Sequence, residues 1–153
     1  MKRLGYLATL VAVGAMAVTL PASAESTQVF KAQFHDSPSS ACPPGADTCG
    51  KGVVKGFGTV TTSLAFTSFV PGPGANCVTA TATRTATLDS DGSVLQLALV
   101  GTICDQKVSG TFVVAGGTGV FNQASGGGMI SGVAIRGVPS DAVHFEGTIT
   151  LPS

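Results

Sequence analysis

The sequence predicts an all-β protein, a barrel or a sandwich of seven or eight antiparallel strands. Three observations carry this expectation. Short runs alternate apolar and polar side chains with a period of two, the pattern of a strand with one buried face. Clusters of Gly, Pro, Asp and Ser separate these runs at short spacing. No stretch beyond the N-terminal segment keeps a helical period, although one short helical turn is expected around Val120 to Ala124.

The N-terminal segment reads as an address. Met1-Lys2-Arg3 is basic, Leu4 to Leu20 is apolar and uncharged, Pro21 interrupts it, and Ala22-Ser23-Ala24 offers the small residues of a cleavage site. This is the layout of a secretory signal peptide over residues 1–24. The alternative, a retained anchor, needs an apolar run long enough to span a bilayer, and this one is barely so. Neither a twin arginine nor a lipoprotein cysteine is present. Cleavage after Ala24 leaves residues 25–153, ordinary length for a single barrel domain, secreted and without a membrane segment. Without Lys2 and Arg3, six basic side chains stand against eight acidic ones, a net charge of −2 with histidine neutral. No basic patch results, which excludes nucleic acid as a natural partner. Trp is absent and the single Tyr (Tyr6) lies in the leader, which argues against a carbohydrate platform.

The first strand is Val29 to His35, with Phe30, Ala32 and Phe34 inward and Lys31, Gln33 and His35 outward. Asp36 to Gly50 then reads as a Pro/Ser/Gly loop. Val53 to Val70 exceeds an ordinary strand. Gly56 and Gly58 call for a bulge or sharp bend there, or for a division into two strands. Pro71-Gly72-Pro73-Gly74 is a break.

Next come two strictly alternating runs, Thr79 to Thr87 and Ser93 to Val100, around the turn Asp89-Ser90-Asp91-Gly92. A centred hairpin pairs Leu88 with Ser93 and Cys77 with Cys104, within disulfide reach. Cys42 and Cys49 then close the loop Pro43 to Thr48. In an oxidising compartment two disulfides are expected. The zinc alternative lacks ligand pairs at metal spacing and a nearby His, so no metal or cofactor is expected. The register places Val78, Ala80, Ala82, Arg84, Ala86 and Leu88 on one face with Leu95, Leu97, Leu99 and Ile103. The threonines take the other face, so the leucines go inside and Arg84 goes with them, opposite Leu97.

Lys107 to Ala115 follows, with Val108, Phe112 and Val114 on one face; then Met129 to Arg136, whose faces are ambiguous. Ala142 to Leu151 closes the chain, with Val143, Phe145, Ile149 and Leu151 inward. Between them lies Gly116-Gly117-Thr118-Gly119-Val120-Phe121-Asn122-Gln123-Ala124-Ser125-Gly126, whose only large apolar side chain is Phe121. A phosphate-binding loop would continue to Lys-Ser/Thr and open a helix, and this stretch does neither. It reads as a structural crossing built on Gly116, Gly117, Gly119 and Gly126, with Phe121 held between glycine-rich turns.

This Gly-Gly-Thr-Gly-x-Phe-x-x-Ala-x-Gly pattern resembles that of the barrel superfamily of allene oxide cyclases, plant dirigent proteins and their secreted bacterial relatives. The resemblance implies a closed or nearly closed eight-stranded antiparallel barrel rather than a sandwich. Such an interior is filled by side chains or holds one small ligand, and the many small inward residues here leave room. The superfamily's activities steer a ring closure or a radical coupling by cavity shape. Outside the glycine-rich motif no position of this sequence matches its catalytic side chains.

The inventory for covalent chemistry is thin. No Gly-x-Ser-x-Gly elbow occurs. His35 and His144 fall on outward faces; His144 with Glu146 could begin a metal or acid–base site, although such surface pairs are commonly only solvated. Asp89 and Asp91 read as turn formers, because no further oxygen ligands follow at calcium-loop spacing. Arg84 is the one ionisable side chain assigned to the inner face. It either anchors a ligand carboxylate or polarised oxygen, or covers apolar surface near a barrel mouth or pairs with an Asp. Three functions remain open: a barrel binding a small apolar or weakly acidic ligand, a cyclase- or isomerase-like enzyme using Arg84, and an extracellular structural or interaction protein with a filled core. Oligomeric state is not set by the sequence.

Overall fold

Alternating strands with one buried face must find a second apolar face or close upon themselves, and here they close. The computed structural model describes residues 25–133 and 141–152. The expected leader (1–24) and residues 134–136 of the expected Met129–Arg136 strand lie outside them. Eight strands form a closed antiparallel barrel in sequence order: β1 Ser26–Ser37, β2 Thr48–Val54, β3 Gly58–Pro71, β4 Cys77–Leu88, β5 Val94–Cys104, β6 Lys107–Gly117, β7 Ser125–Val133 and β8 Asp141–Leu151. A 3-10 turn, Gly119–Phe121, joins β6 to β7.

The β4–β5 hairpin has the expected register, from Cys77 opposite Cys104 through Arg84 opposite Leu97. Leu95, Leu97, Ala82 and Ala86 are buried, whereas Val78 is 39% exposed. One open choice is decided and two boundaries differ from expectation. Val53–Val70 is a β2–β3 hairpin rather than one bent strand, because Gly56 takes φ +87° and turns the chain over Lys55–Phe57. Strand β1 runs on to Ser37 and β2 starts at Thr48, so both ends of the expected Asp36–Gly50 loop are ladder. Strand β7 starts at Ser125, inside the glycine run, which pairs with β6 on one side and β8 on the other.

The barrel has two unlike ends. At one, β1, β3, β5 and β7 finish and both disulfides sit: Cys42–Cys49 and Cys77–Cys104, with Cα separations of 5.4 and 4.2 Å. The Asp47 side chain accepts from the Phe66 amide at 2.7 Å and ties the first of these loops to β3. At the other end Phe121, fully buried, stacks on Phe57 at 4.8 Å. This is the stopper that the glycine motif builds. Gly119 takes φ +58° against Ser93, whose hydroxyl accepts from the Val120 amide at 3.2 Å. A Cβ on Gly117 would lie 2.6 Å from both the Phe121 Cβ and the Val94 carbonyl oxygen. Between the ends, aromatic rings run as a chain: Phe30–Phe112 at 5.4 Å, Phe112–Phe145 at 5.3 Å and Phe145–Phe34 at 5.0 Å.

The two staples differ in the loop they close, with sequence separations of 27 and 7. Closure entropy of the unfolded chain then assigns about 3.5 kcal/mol to Cys77–Cys104 and about 2.5 kcal/mol to Cys42–Cys49. Replacing each pair by serines and comparing guanidinium midpoints should show the larger loss for the 77–104 pair. The reverse order would mean that unfolded-chain entropy is not what this staple acts on.

Candidate functional site: a cavity at the stapled end

Arg84 reaches the interior because β4 alternates, and what it meets there comes from three other strands. On β1 the alternation that buries Phe30, Ala32 and Phe34 continues to Asp36, also buried. On β3 the inward series Val60, Thr62 and Leu64 supplies a hydroxyl. Arg84 donates through one terminal nitrogen, Nη1, to Asp36 Oδ2 at 2.6 Å and to Thr62 Oγ1 at 2.7 Å. Its guanidinium carbon lies 4.5 Å from the Phe34 ring centroid and 5.6 Å from that of Phe145 on β8. The ion pair crosses the lumen from β4 to β1, and both side chains are almost wholly buried, 2% and 3% exposed. Two opposite charges this deep must be mutually compensated to be tolerated.

The pair divides the interior. Toward the stopper the barrel is filled by Leu88, Leu95, Leu97, Phe112, Phe121 and Ile149, each buried. Toward the disulfides it leaves a cavity of about 120 Å³. Its walls are apolar, with Leu64, Phe66, Leu99, Ile103, Val108 and Phe145 among them, and its polar members are Asp36, Thr48 and Arg84. Phe66, Ile103 and Val108 are partly exposed, which places its outer limit at the rim. Asp36 Oδ1, Arg84 Nε and Thr48 Oγ1 are buried without a hydrogen-bond partner among the described residues.

Sequence reasoning found Arg84 and missed Asp36, Thr48 and Thr62. A signal for Asp36 was present: it continues the inward series of β1 by one more step of two. Thr48 and Thr62 carry no comparable signal, because threonine suits either face of a sheet.

The other expected residues lie apart from this cavity. His35 and His144 are exposed on the outer wall. Glu146 pairs with Lys31 at 3.0 Å, and His35 Nε2 meets Gln33 Nε2 at 3.0 Å. A shallow groove of about 240 Å³ touches Lys31, Gln33, Lys55, His144 and Glu146. Among the described residues no three His, Cys, Asp or Glu side chains gather as metal ligands would. Asp91 accepts from the Ser93 amide at 2.9 Å, an Asx turn. Asp89 is held by the Thr61 hydroxyl at 2.9 Å and the Lys51 ammonium at 3.2 Å. Those two donors, the hydroxyl first, keep its carboxyl below the usual range.

Two disulfides fit an oxidising compartment. No helix among the described residues is long and apolar enough to cross a membrane. Neither a scan of protein-family models nor a search of curated proteins or of solved structures gives a match to this chain.

Proposed function

We propose that this is a secreted β-barrel protein that binds one small apolar or weakly acidic molecule in the cavity at its stapled end. One observation carries the reading: a barrel filled to one end stops being filled above Arg84 and Asp36, and the space left is apolar-walled with a few convergent polar groups. That is the general make-up of a small-molecule site. An apolar cavity of roughly 150 Å³ is known to take up benzene, so the occupant is about one ring or a short chain in size. The resemblance of Gly116–Gly126 to the allene oxide cyclase and dirigent barrels supports the reading, since those barrels act through cavity shape. The leader, the charge balance and the disulfides support secretion, with a small molecule rather than nucleic acid as partner. An enzyme in which Arg84 polarises an oxygen is less favoured, because Asp36 already compensates its charge.

Native mass spectrometry of the protein recovered from the medium tests this directly. The expected result is a polypeptide beginning at Glu25, carrying a small mass that is lost on denaturation. A bare mass in both states, together with no uptake of benzene, would overturn the reading in favour of an interaction protein working from its outer wall.

A further inference from the structure

The chemical character of the cavity follows from what its polar groups have already spent. Arg84 is neutralised by Asp36 at 2.6 Å, gives a second bond to Thr62, and has the Phe34 ring against it. What remains open among the described residues is one carboxylate oxygen, Asp36 Oδ1, with the Thr48 hydroxyl and the Arg84 Nε–H. All three residues line the cavity. From this we infer that the cavity selects a molecule whose polar end is a neutral hydrogen-bond donor, a hydroxyl or an amide, over one ending in a carboxylate. Asp36 is the residue that sets the preference.

The argument is electrostatic. A ligand carboxylate would bring a second negative charge beside Asp36, whose own side chain is only 3% exposed, and like charges repel strongly at such a buried position. It would also leave Oδ1 without a donor. A hydroxyl gives its proton to Oδ1 and accepts from Thr48 or Arg84 Nε, so a buried acceptor gains the partner it lacks. A site built to bond a hydroxyl discriminates sharply against analogues that cannot supply one. A weak acid enters under the same rule only while it keeps its proton. The inference rests on the cavity being a ligand site, and the experiment separates the two claims.

¹⁵N-labelled protein would be titrated at neutral pH with benzene, 1-hexanol, hexanamide and hexanoate, following the Arg84 Nε–H resonance. Hexanol and hexanamide are expected to bind at least about tenfold more tightly than hexanoate and to move that resonance saturably. In Asp36→Asn the carboxylate is gone and Arg84 is uncompensated, so the order should reverse in favour of hexanoate. Thr48→Val carries the test should Asp36→Asn fail to fold: hexanol should weaken severalfold while benzene is unchanged. Equal binding of hexanol and hexanoate, or a preference for hexanoate in the unmodified protein, overturns the inference while benzene binding keeps the ligand site. If not even benzene enters, both claims fall.

Discussion

Truncating Asp36 to alanine is expected to destabilise the barrel by about 3–5 kcal/mol, because it strands the Arg84 guanidinium in the interior without its counter-charge. Arg84→Ala should cost a comparable amount, by leaving the Asp36 carboxylate uncompensated and the rings of Phe34 and Phe145 without the group packed on them. Either loss is a large fraction of the roughly 5–15 kcal/mol that keeps a domain folded. The informative variant is the double one. Asp36→Leu with Arg84→Met removes both charges and fills the space with apolar atoms, and it should recover most of the loss. Urea midpoints for Asp36→Leu, Arg84→Met and their double variant form a cycle with the parent, in which strong coupling is expected between groups 2.6 Å apart. An Asp36→Ala protein within about 1 kcal/mol of the parent would mean that water reaches the pair in solution and that the cavity floor is not dry.

That ion pair also shows where reading the sequence reached its limit. The hairpin register was legible because two strictly alternating runs flank an even turn, and any slip by one residue would turn every leucine to solvent. Register then gave both the Cys77–Cys104 staple and the inward Arg84. The partner was hidden because Asp36 begins Asp-Ser-Pro-Ser-Ser, a loop in local terms. What keeps it in strand is non-local: pairing with Gly50 on β2 and with residue 141 on β8. The glycines left a choice open for the same reason. Gly56 and Gly58 permit a bend or a tight hairpin equally, and only the pairing of β2 with β3 decides. Ser125–Gly128 has almost no side-chain signal of its own and becomes strand through ladders on both sides. A cavity is still harder to read, since small inward residues serve a tightly coiled wall as well as an open space. Gly128 and Gly147 face each other across β7 and β8, and an added Cβ would collide with the neighbouring strand's backbone.

At the opposite end, Phe121→Ala is expected to cost about 3–5 kcal/mol, the range for emptying a well-packed aromatic site. The site cannot collapse to relieve this. Phe121 is held from below by Phe57 and from the side by a turn whose backbone is pinned to the β4–β5 hairpin through Thr118 and Ser93. Enlarging Gly117 to alanine attacks the same stopper from outside, driving a methyl group into the Phe121 Cβ and the Val94 carbonyl oxygen. Phe121→Ala should therefore lower the urea midpoint as steeply as Asp36→Ala does, with a different accompaniment. Among the described residues, the ring packed on Phe121 belongs to Phe57, whereas Arg84 is held by Asp36, Thr62, Phe34 and Phe145, so the two costs should add within a few tenths of a kcal/mol in the Phe121→Ala, Asp36→Ala double variant. The Arg84 Nε–H resonance, which reports the cavity floor, should stay where it is in Phe121→Ala. Movement of that resonance, or clear non-additivity, would show that the stopper sets the dimensions of the cavity and that the two halves of the barrel are one packing unit. Constancy would leave Phe121 and its glycines as the fixed end of a barrel whose other end is free to be shaped for a ligand.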